Sequence, residues 1–423
     1  MTRYILQLGD IACFYFVIAH TIDMKQLLNS AEKLRKKLIE HRRFLHQHAE
    51  IGFDLPKTLA YVEKTLLALG YQPQKCGKAG LVATVGNPKN KPVILLRADM
   101  DGLPIKEKSG EPFACQSGNM HACGHDLHTA MLLGVAELLK GKENELKGCV
   151  KLLFQPAEET LEGAADCLKK GLLDGEKPDC AVMLHVLTGL PIKTGTAIVS
   201  SPGVSAPAAD FFKITVTGKG CHGSTPWNGV DALSIGAYIL FSLQTLVARE
   251  VPTGAGTVLT VGNLQAGQVA NVIADKGELS GTLRTFDEEI RHRIKGRIKE
   301  IASMQAKAFG GRAKTEFFSG CPTLVNDGAV SDFAYRTARE LLGEERAFTS
   351  AELSKNEVGK RSGGSEDFAY ISHEIPSVMI GLTAGERDKG YAYPLHHPKA
   401  RFDEDVLPIG TALLTALALE RGK

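Results

Sequence analysis

Cys123 and His125 stand one residue apart, with Gly124 between them, just before an apolar stretch. A thiolate and an imidazole this close can hold one divalent ion, which also keeps the sulfur deprotonated. The glycine allows a tight backbone turn. Taken alone, the segment His121 to His128 also fits an ordinary helix start, with Asp126 near the cap and His128 on the first turn. Glu158 and Glu159 follow another apolar run, Val150 to Phe154. Adjacent carboxylates beyond a strand end point in different directions, so one can bind metal while the other faces a substrate. A hydrolase that activates water at a metal needs such a base, to take the water's proton and hand it to the leaving amine. Asp99 and Asp101 follow the run Val93 to Ala98, and His185 ends the run from Cys180. Polar residues at one strand end mean little. Three such ends together point to a metal or acid/base site. His396-His397-Pro398 adds a further imidazole, which alone reads as a surface pair.

These residues need a frame that brings strand ends together. Apolar spacings of three and four predict helices between Met24 and Leu69, the second of them from Thr58 to Leu69 and ended by Gly70. Leu81–Val85, Val93–Ala98, Val150–Phe154 and Cys180–Val186 read as strands; the second is apolar throughout except for Arg97. Asp126–Lys140 and Ala164–Leu173 read as helices between them. Alternating strands and helices predict an α/β fold with a mostly parallel central sheet, and such sheets place ligands at the carboxyl ends of their strands. The character changes near Ala206. Phe211–Thr217, Val258–Leu264, Gly277–Phe286 and Ala313–Phe318 read as strands, with helices Asp231–Glu250 and Asp287–Phe309. That order, β-α-β-β-α-β, is ferredoxin-like. The α/β pattern then resumes with helix Val330–Leu342, strand Ser377–Gly381 and helix Pro408–Glu420. The expected organisation is a catalytic domain in two parts, 24–205 and 319–423, interrupted by an inserted α+β domain at 206–318. Residues 1–23 form an N-terminal extension. Its apolar run from Ile11 to Ala19 is a poor signal peptide and too short to span a bilayer, so an extra strand or an upstream start codon is the plainer reading. No other stretch approaches a transmembrane span by this reading.

The 423 residues exceed what one hydrophobic core usually serves, which agrees with two domains. A net charge of +2 gives no reason to expect nucleic acid or a membrane as partner. Nine scattered cysteines without a Cys-x-x-Cys pair indicate a reducing compartment, and the expected location is cytoplasmic.

Six segments occur in a characteristic order: Arg97 to Pro104, Met120 to His128, Phe154 to Glu159, Leu184-His185, Gly363 to Phe368 and Leu395 to Pro398. In these the chain resembles the aminoacylase/carboxypeptidase G superfamily of dinuclear metallopeptidases. Within it, the chain is most similar to hippurate hydrolases, N-acyl-amino-acid amidohydrolases and plant auxin-conjugate hydrolases. The likeness runs from about His41 to the C-terminus. It implies two divalent ions per subunit, manganese(II) or zinc(II), held by Cys123, His125, Glu159, His185 and His396, with Cys123 bridging. It implies Glu158 as general acid/base and Asp101 as the aspartate supporting the metal site from behind. In the inserted domain it implies His222 as oxyanion donor, often reaching across a dimer, and Asn271 and Arg284 as substrate-binding residues. The implied protein is a homodimer joined through the inserted, lid-like domain.

The sequence departs from the family pattern in three places. Cys221 replaces a glycine before His222, Ser224-Thr225-Pro226-Trp227 replaces a segment that often carries a second histidine, and Ser319-Gly320-Cys321-Pro322 has one proline where relatives often have two. His41, His46 and His48 are expected to be surface or packing residues, His292 and His373 solvated, and Cys76, Cys149, Cys167 and Cys180 inert core thiols. Trp227 fits packing or substrate contact equally. The expected reaction is hydrolysis of the amide bond of a small N-acyl-L-amino acid (N-acetyl, hippurate-like or related) by a metal-activated water. The alternatives are a dipeptidase on the same centre, for which no carboxylate stands ready to hold a free amine, and a metal-binding protein without catalysis, which the presence of Glu158 disfavours.

Overall fold

The computed structural model describes residues 22–354 and 363–421. The Ile11–Ala19 run lies outside them. An eight-stranded sheet runs in the order Gln74–Cys76, Gly80–Gly86, Cys149–Gln155, Val93–Asp99, Cys180–Leu187, Ser377–Thr383, Ala197–Val199 and Ala347–Thr349. The middle four strands are parallel. Gln74–Cys76, Gly80–Gly86 and Ala197–Val199 join antiparallel to their inner neighbours, and the last pair is again parallel. The parallel strands are apolar without alternation because both faces are covered: every residue of Val93–Asp99 and Cys149–Gln155 is buried. Asp99 pairs with Gln155 in register, so the segments that follow both strands emerge at one edge.

Helices Met24–Lys33, Arg35–Gln47, His125–Lys140 and Val406–Arg421 share the large core on this sheet. The first two form one helical stretch broken only at Leu34, whose N–H turns back to Ala31 O. The third helix starts at Pro56 rather than Thr58, because proline suits the first helical turn, where its missing N–H is not needed. Gly163–Lys169 is shorter than the sequence suggests.

A second, four-stranded antiparallel sheet has the order Val258–Ala266, Lys276–Thr285, Ala208–Thr217, Arg312–Cys321. Helices Ala232–Glu250 and Glu288–Ala308 pack on one face around a core of their own, including Phe212, Ile214, Ile239, Leu243, Ile294 and Ile298. Each begins at an aspartate whose carboxylate accepts a backbone N–H: Asp231 from Leu233 and Asp287 from Ile290. Ala232–Glu250 has the length and apolarity of a membrane span, which the sequence reading missed; its buried stripe of Ile235, Ile239, Leu243 and Leu246 is the face that rests on this sheet.

The two bodies are linked by a two-stranded ribbon, Gly203–Ala206 against Leu324–Asn326. Gly320 is paired with Asp210 inside a strand. The ladder is interrupted at Pro207 and Pro322, between ribbon and sheet, where proline has no N–H to offer.

Candidate metal centre

Three turns deliver the side chains. Gly124 enters helix His125–Lys140 at φ 85°, and a Cβ there would lie 2.3 Å from Val186 Cγ2, so glycine is required both by conformation and by space. This turn aims Cys123 and His125 at the sheet edge. Beyond the central strand Cys149–Gln155, Ala157 takes φ 55° and turns the chain so that Glu158 and Glu159 diverge. His396 itself sits at φ 63°. Ala157, Leu161 and His396 are the three non-glycine residues with positive φ among the described residues, and all flank the same cluster. Such backbone strain of about 1–3 kcal/mol each persists where surroundings hold it in place, most often at functional sites.

The predicted ligands converge. Cys123 Sγ lies 3.2 Å from His396 Nε2 and 3.5 Å from His185 Nε2. His396 Nε2 is 3.5 Å from Glu159 Oε1. His125 Nε2 is 3.7 Å from Asp99 Oδ2, 3.8 Å from Glu158 Oε2 and 4.0 Å from Glu159 Oε1. The imidazoles are oriented from behind: His125 Nδ1 donates to Asp101 O at 2.8 Å, and His185 Nδ1 to Val186 O at 2.7 Å. Their Nε2 lone pairs are thereby turned inward, the arrangement that metal-ligating histidines use. Buried atoms are left without a partner: neither His125 Nε2 nor Glu159 Oε1 has a hydrogen bond. Such atoms are rare unless something binds them.

Charge makes the same case. Asp99, Asp101, Glu158 and Glu159 gather here, and Arg97 is the guanidinium that enters from behind. Burial, with Glu366 and Glu159 close by, holds the Glu158 carboxyl well above the usual range. Burial likewise pushes Glu159 to about 7 and the Cys123 thiol far up. A divalent cation would reverse these costs, so the donor set fits one: a thiol, three imidazoles and carboxylates, all within ligand reach of one another in overlapping triads.

Asp101 is fully buried, and its side chain accepts the backbone N–H of Glu158 at 3.1 Å and of Glu159 at 3.2 Å. It therefore clamps the turn that presents both glutamates. The residues predicted in the inserted segment lie elsewhere. His222 is exposed, its Nδ1 accepting from Ser224 N and Oγ, and among the described residues no hydrogen bond or ion pair joins it to the cluster. Asn271, also exposed, adjoins it through the short ribbon that pairs Val272 with His222. Arg284 reaches out of its sheet to Gly363 O and Ser365 Oγ, at 2.9 and 3.0 Å.

Several residues near the cluster went unassigned in the sequence. Arg97 is fully enclosed and donates to Asp99, Gln155, Glu366 and Asp367, joining two motifs about 270 positions apart. Its appearance inside an otherwise apolar strand was the available signal. His128 hydrogen-bonds Asp99 through Nδ1 and accepts Val186 N at Nε2, so it ties the helix to two strands rather than merely occupying a first turn. His46 is a packing residue, as expected, but a charged one, wedged between Asp126 and Glu107. Trp227 is 77% exposed and so is not packed within the chain.

The sequence profile of peptidase family M20/M25/M40 matches residues 95–420. The chain belongs to this family. It is 37% identical over 377 residues to the N-acetyl-L-cysteine deacetylase of Bacillus subtilis (strain 168), a match covering 88% of this chain and 85% of that one. It is 33% identical to the IAA-amino acid hydrolase ILR1-like 2 of Arabidopsis thaliana, over 90% and 84% of the two chains. Among solved structures, the YXEP protein of Bacillus subtilis, described as a dinuclear metal binding peptidase from the M20 family, superposes with a TM-score of 0.73 at 31% identity. That match covers 92% of this chain and 98% of the other. These three matches cover 88%, 90% and 92% of this M20/M25/M40 chain.

Proposed function

We propose that this chain hydrolyses the amide bond of N-acyl-L-amino acids at a dinuclear metal centre held by Cys123, His125, Glu159, His185 and His396. The names of the two curated relatives, one acting on N-acetyl-L-cysteine and one on amino-acid conjugates, support that substrate class. The observation that carries the reading is the division between the two glutamates. Both carboxylates approach the unpartnered His125 nitrogen, at 3.8 Å from Glu158 and 4.0 Å from Glu159, but Glu159 alone of the two also meets His396, while Glu158 is buried and makes no ion pair with a guanidinium or ammonium among the described residues. When bound, manganese(II) or zinc(II) would polarise the scissile carbonyl and acidify water. A thiol with imidazoles suits zinc and the carboxylates admit manganese.

Glu158 takes the proton of the attacking water and returns it to the leaving nitrogen, a role for which a buried carboxyl with a raised proton affinity is suited. Asp101 keeps Glu158 and Glu159 in their separate directions. Segment 206–318 acts as the lid: His222, Asn271 and Arg284 arrive at the substrate when it closes about the joint at Pro207 and Pro322, or from a second subunit. Support for a homodimer comes from the edge position of strand Val258–Ala266 and from exposed Tyr238 and Phe241 on the neighbouring helix. A reducing, cytoplasmic setting agrees with eight unpaired cysteines among the described residues.

The test is an assay of N-acetyl amino acids, hippurate and dipeptides, with and without a chelator, beside elemental analysis of the protein. The proposal expects chelator-sensitive hydrolysis of the acylated amino acids. Preference for dipeptides would replace it with a peptidase, and bound metal without turnover would leave a metal-binding protein.

A further inference from the structure

A second recess lies on the far side of helix Arg35–Gln47. Arg42 and His46 face inward, where Arg42 Nε meets Asp126 Oδ2 at 3.1 Å. The opposite stripe carries His41, Phe44 and, just past the helix end, His48. Together with Tyr61, Lys57 and Lys64 of helix Pro56–Ala68 they border an open groove of about 710 Å³. That volume suits a small organic ligand. None of its lining residues belongs to the Cys123 cluster.

The floor is a pre-formed stack. The Phe44 ring lies 3.9 Å from the Tyr61 centroid at 15° and 4.4 Å from His48 at 29°. His41 stands on edge to Tyr61 and fixes it, with Nδ1 2.8 Å from the hydroxyl. The rings are therefore held without a ligand, so little ordering remains to oppose binding. The rim is cationic, with the Glu50 carboxylate accepting the backbone N–H of Lys57 at 3.1 Å. Lys37 is paired with Glu137, whereas Lys57 and Lys64 make no ion pair among the described residues. They project from one face of their helix, two turns apart.

We propose that this groove binds a small aromatic carboxylate, its ring set against the Tyr61–Phe44–His48 row and its carboxylate between Lys57 and Lys64. The aromatic floor selects a flat apolar ring, and the two free ammonium groups select an anion. A second copy of the chain would use the same charges, and the experiment separates the two. The proposal does not depend on the hydrolytic reading.

The probe is 2-naphthoate, titrated into the full-length, metal-loaded chain by calorimetry and by saturation-transfer NMR. Expected is saturable binding at one site besides any chelator-sensitive one. Lys57→Glu/Lys64→Glu should weaken it at least tenfold, Lys57→Arg/Lys64→Arg should restore it, and neutral 2-naphthalenemethanol should bind at least tenfold more weakly. Glu158→Gln should leave this site intact. If charge reversal impairs folding, Lys57→Gln/Lys64→Gln serves the same comparison. Equal affinity in the charge-reversed and native chains overturns the proposal, as does no binding up to millimolar probe. Loss of a dimer on gel filtration in Lys57→Glu/Lys64→Glu, without an effect on naphthoate, assigns the groove to a second copy and also overturns it.

Discussion

Replacing Asp101 strips two acceptors from the turn that carries the glutamates. Its Oδ1 takes the N–H of Glu158 and its Oδ2 that of Glu159, in a position with no solvent exposure. Asp101→Ala leaves both donors buried and unpaired, at about 1–3 kcal/mol each, or about 2–6 kcal/mol in total. Asp101→Asn keeps one acceptor and turns an amide NH2 toward the other N–H, so about half that loss is expected. The hydrogen bond from His125 goes to the Asp101 backbone carbonyl and survives both changes; only the longer 3.5 Å contact of the same nitrogen with the Asp101 carboxylate is affected. The damage should therefore fall on Glu158 and Glu159, with metal affinity and turnover reduced about 10–100-fold, the usual range for groups behind a ligand. Calorimetric unfolding gives the stability, competition with a graded chelator gives metal affinity, and steady-state kinetics give kcat. An Asp101→Ala chain with native stability, native metal retention and native kcat would refute the clamp.

Glu158→Gln should keep its metal content by elemental analysis and lose ~10²-fold or more in kcat; unchanged turnover would remove it as the acid/base. Cys123→Ser should lose metal occupancy and activity together, and alkylation of Cys123, followed by mass spectrometry, should be blocked by metal and recovered after chelation. His46 is driven down by burial but lifted more strongly by Asp126 and Glu107, to about 9 from 6.5. Its stabilisation, about 3 kcal/mol at most, is present in full below the unfolded value and lost as pH climbs through about 9. The stability gap between native and His46→Leu chains in urea should accordingly shrink from pH 6 to pH 10, and a constant gap would exclude this origin. His222→Ala should keep its metals and lose ~3–4 kcal/mol of transition-state stabilisation. Mixing His222→Ala with Glu158→Gln should restore activity if the histidine serves the other subunit's site; no recovery despite proven subunit exchange would confine it to its own chain.

The buried parallel strands were legible because continuous apolar runs have few other uses, and the polar residues just beyond them marked the sheet edge where the cluster forms. The inserted sheet was legible from alternation, as in Phe211 to Thr217. The three-residue strands Gln74–Cys76, Ala197–Val199 and Ala347–Thr349 were not, since three residues carry no period and their pairing is decided by neighbours. Distant partnerships were equally hidden. Arg97 announced an exception inside its strand, but Glu366 and Asp367 meet it only through the fold. Gly320 is permissive in sequence, yet the ladder continues through it and stops at Pro322. His222 and Asn271 could be ranked only by likeness, because nothing in their own spacing tells a substrate contact from an exposed turn.

The ribbon of Gly203–Ala206 and Leu324–Asn326 makes the inserted body enter and leave the chain at one point. Asn326 fastens that point to the main sheet, its Nδ2 donating to Ser205 Oγ at 2.8 Å and its Oδ1 accepting Met379 N at 2.9 Å. No strand of the eight-stranded sheet comes from the insertion. The body that gathers the Cys123 cluster can therefore be inherited unchanged while whatever is grafted onto its paired stems is lengthened, exchanged or recombined. Substrate range and assembly can then diversify on a separate clock from the chemistry, because a graft with adjoining ends has only to close on itself to leave its host folded.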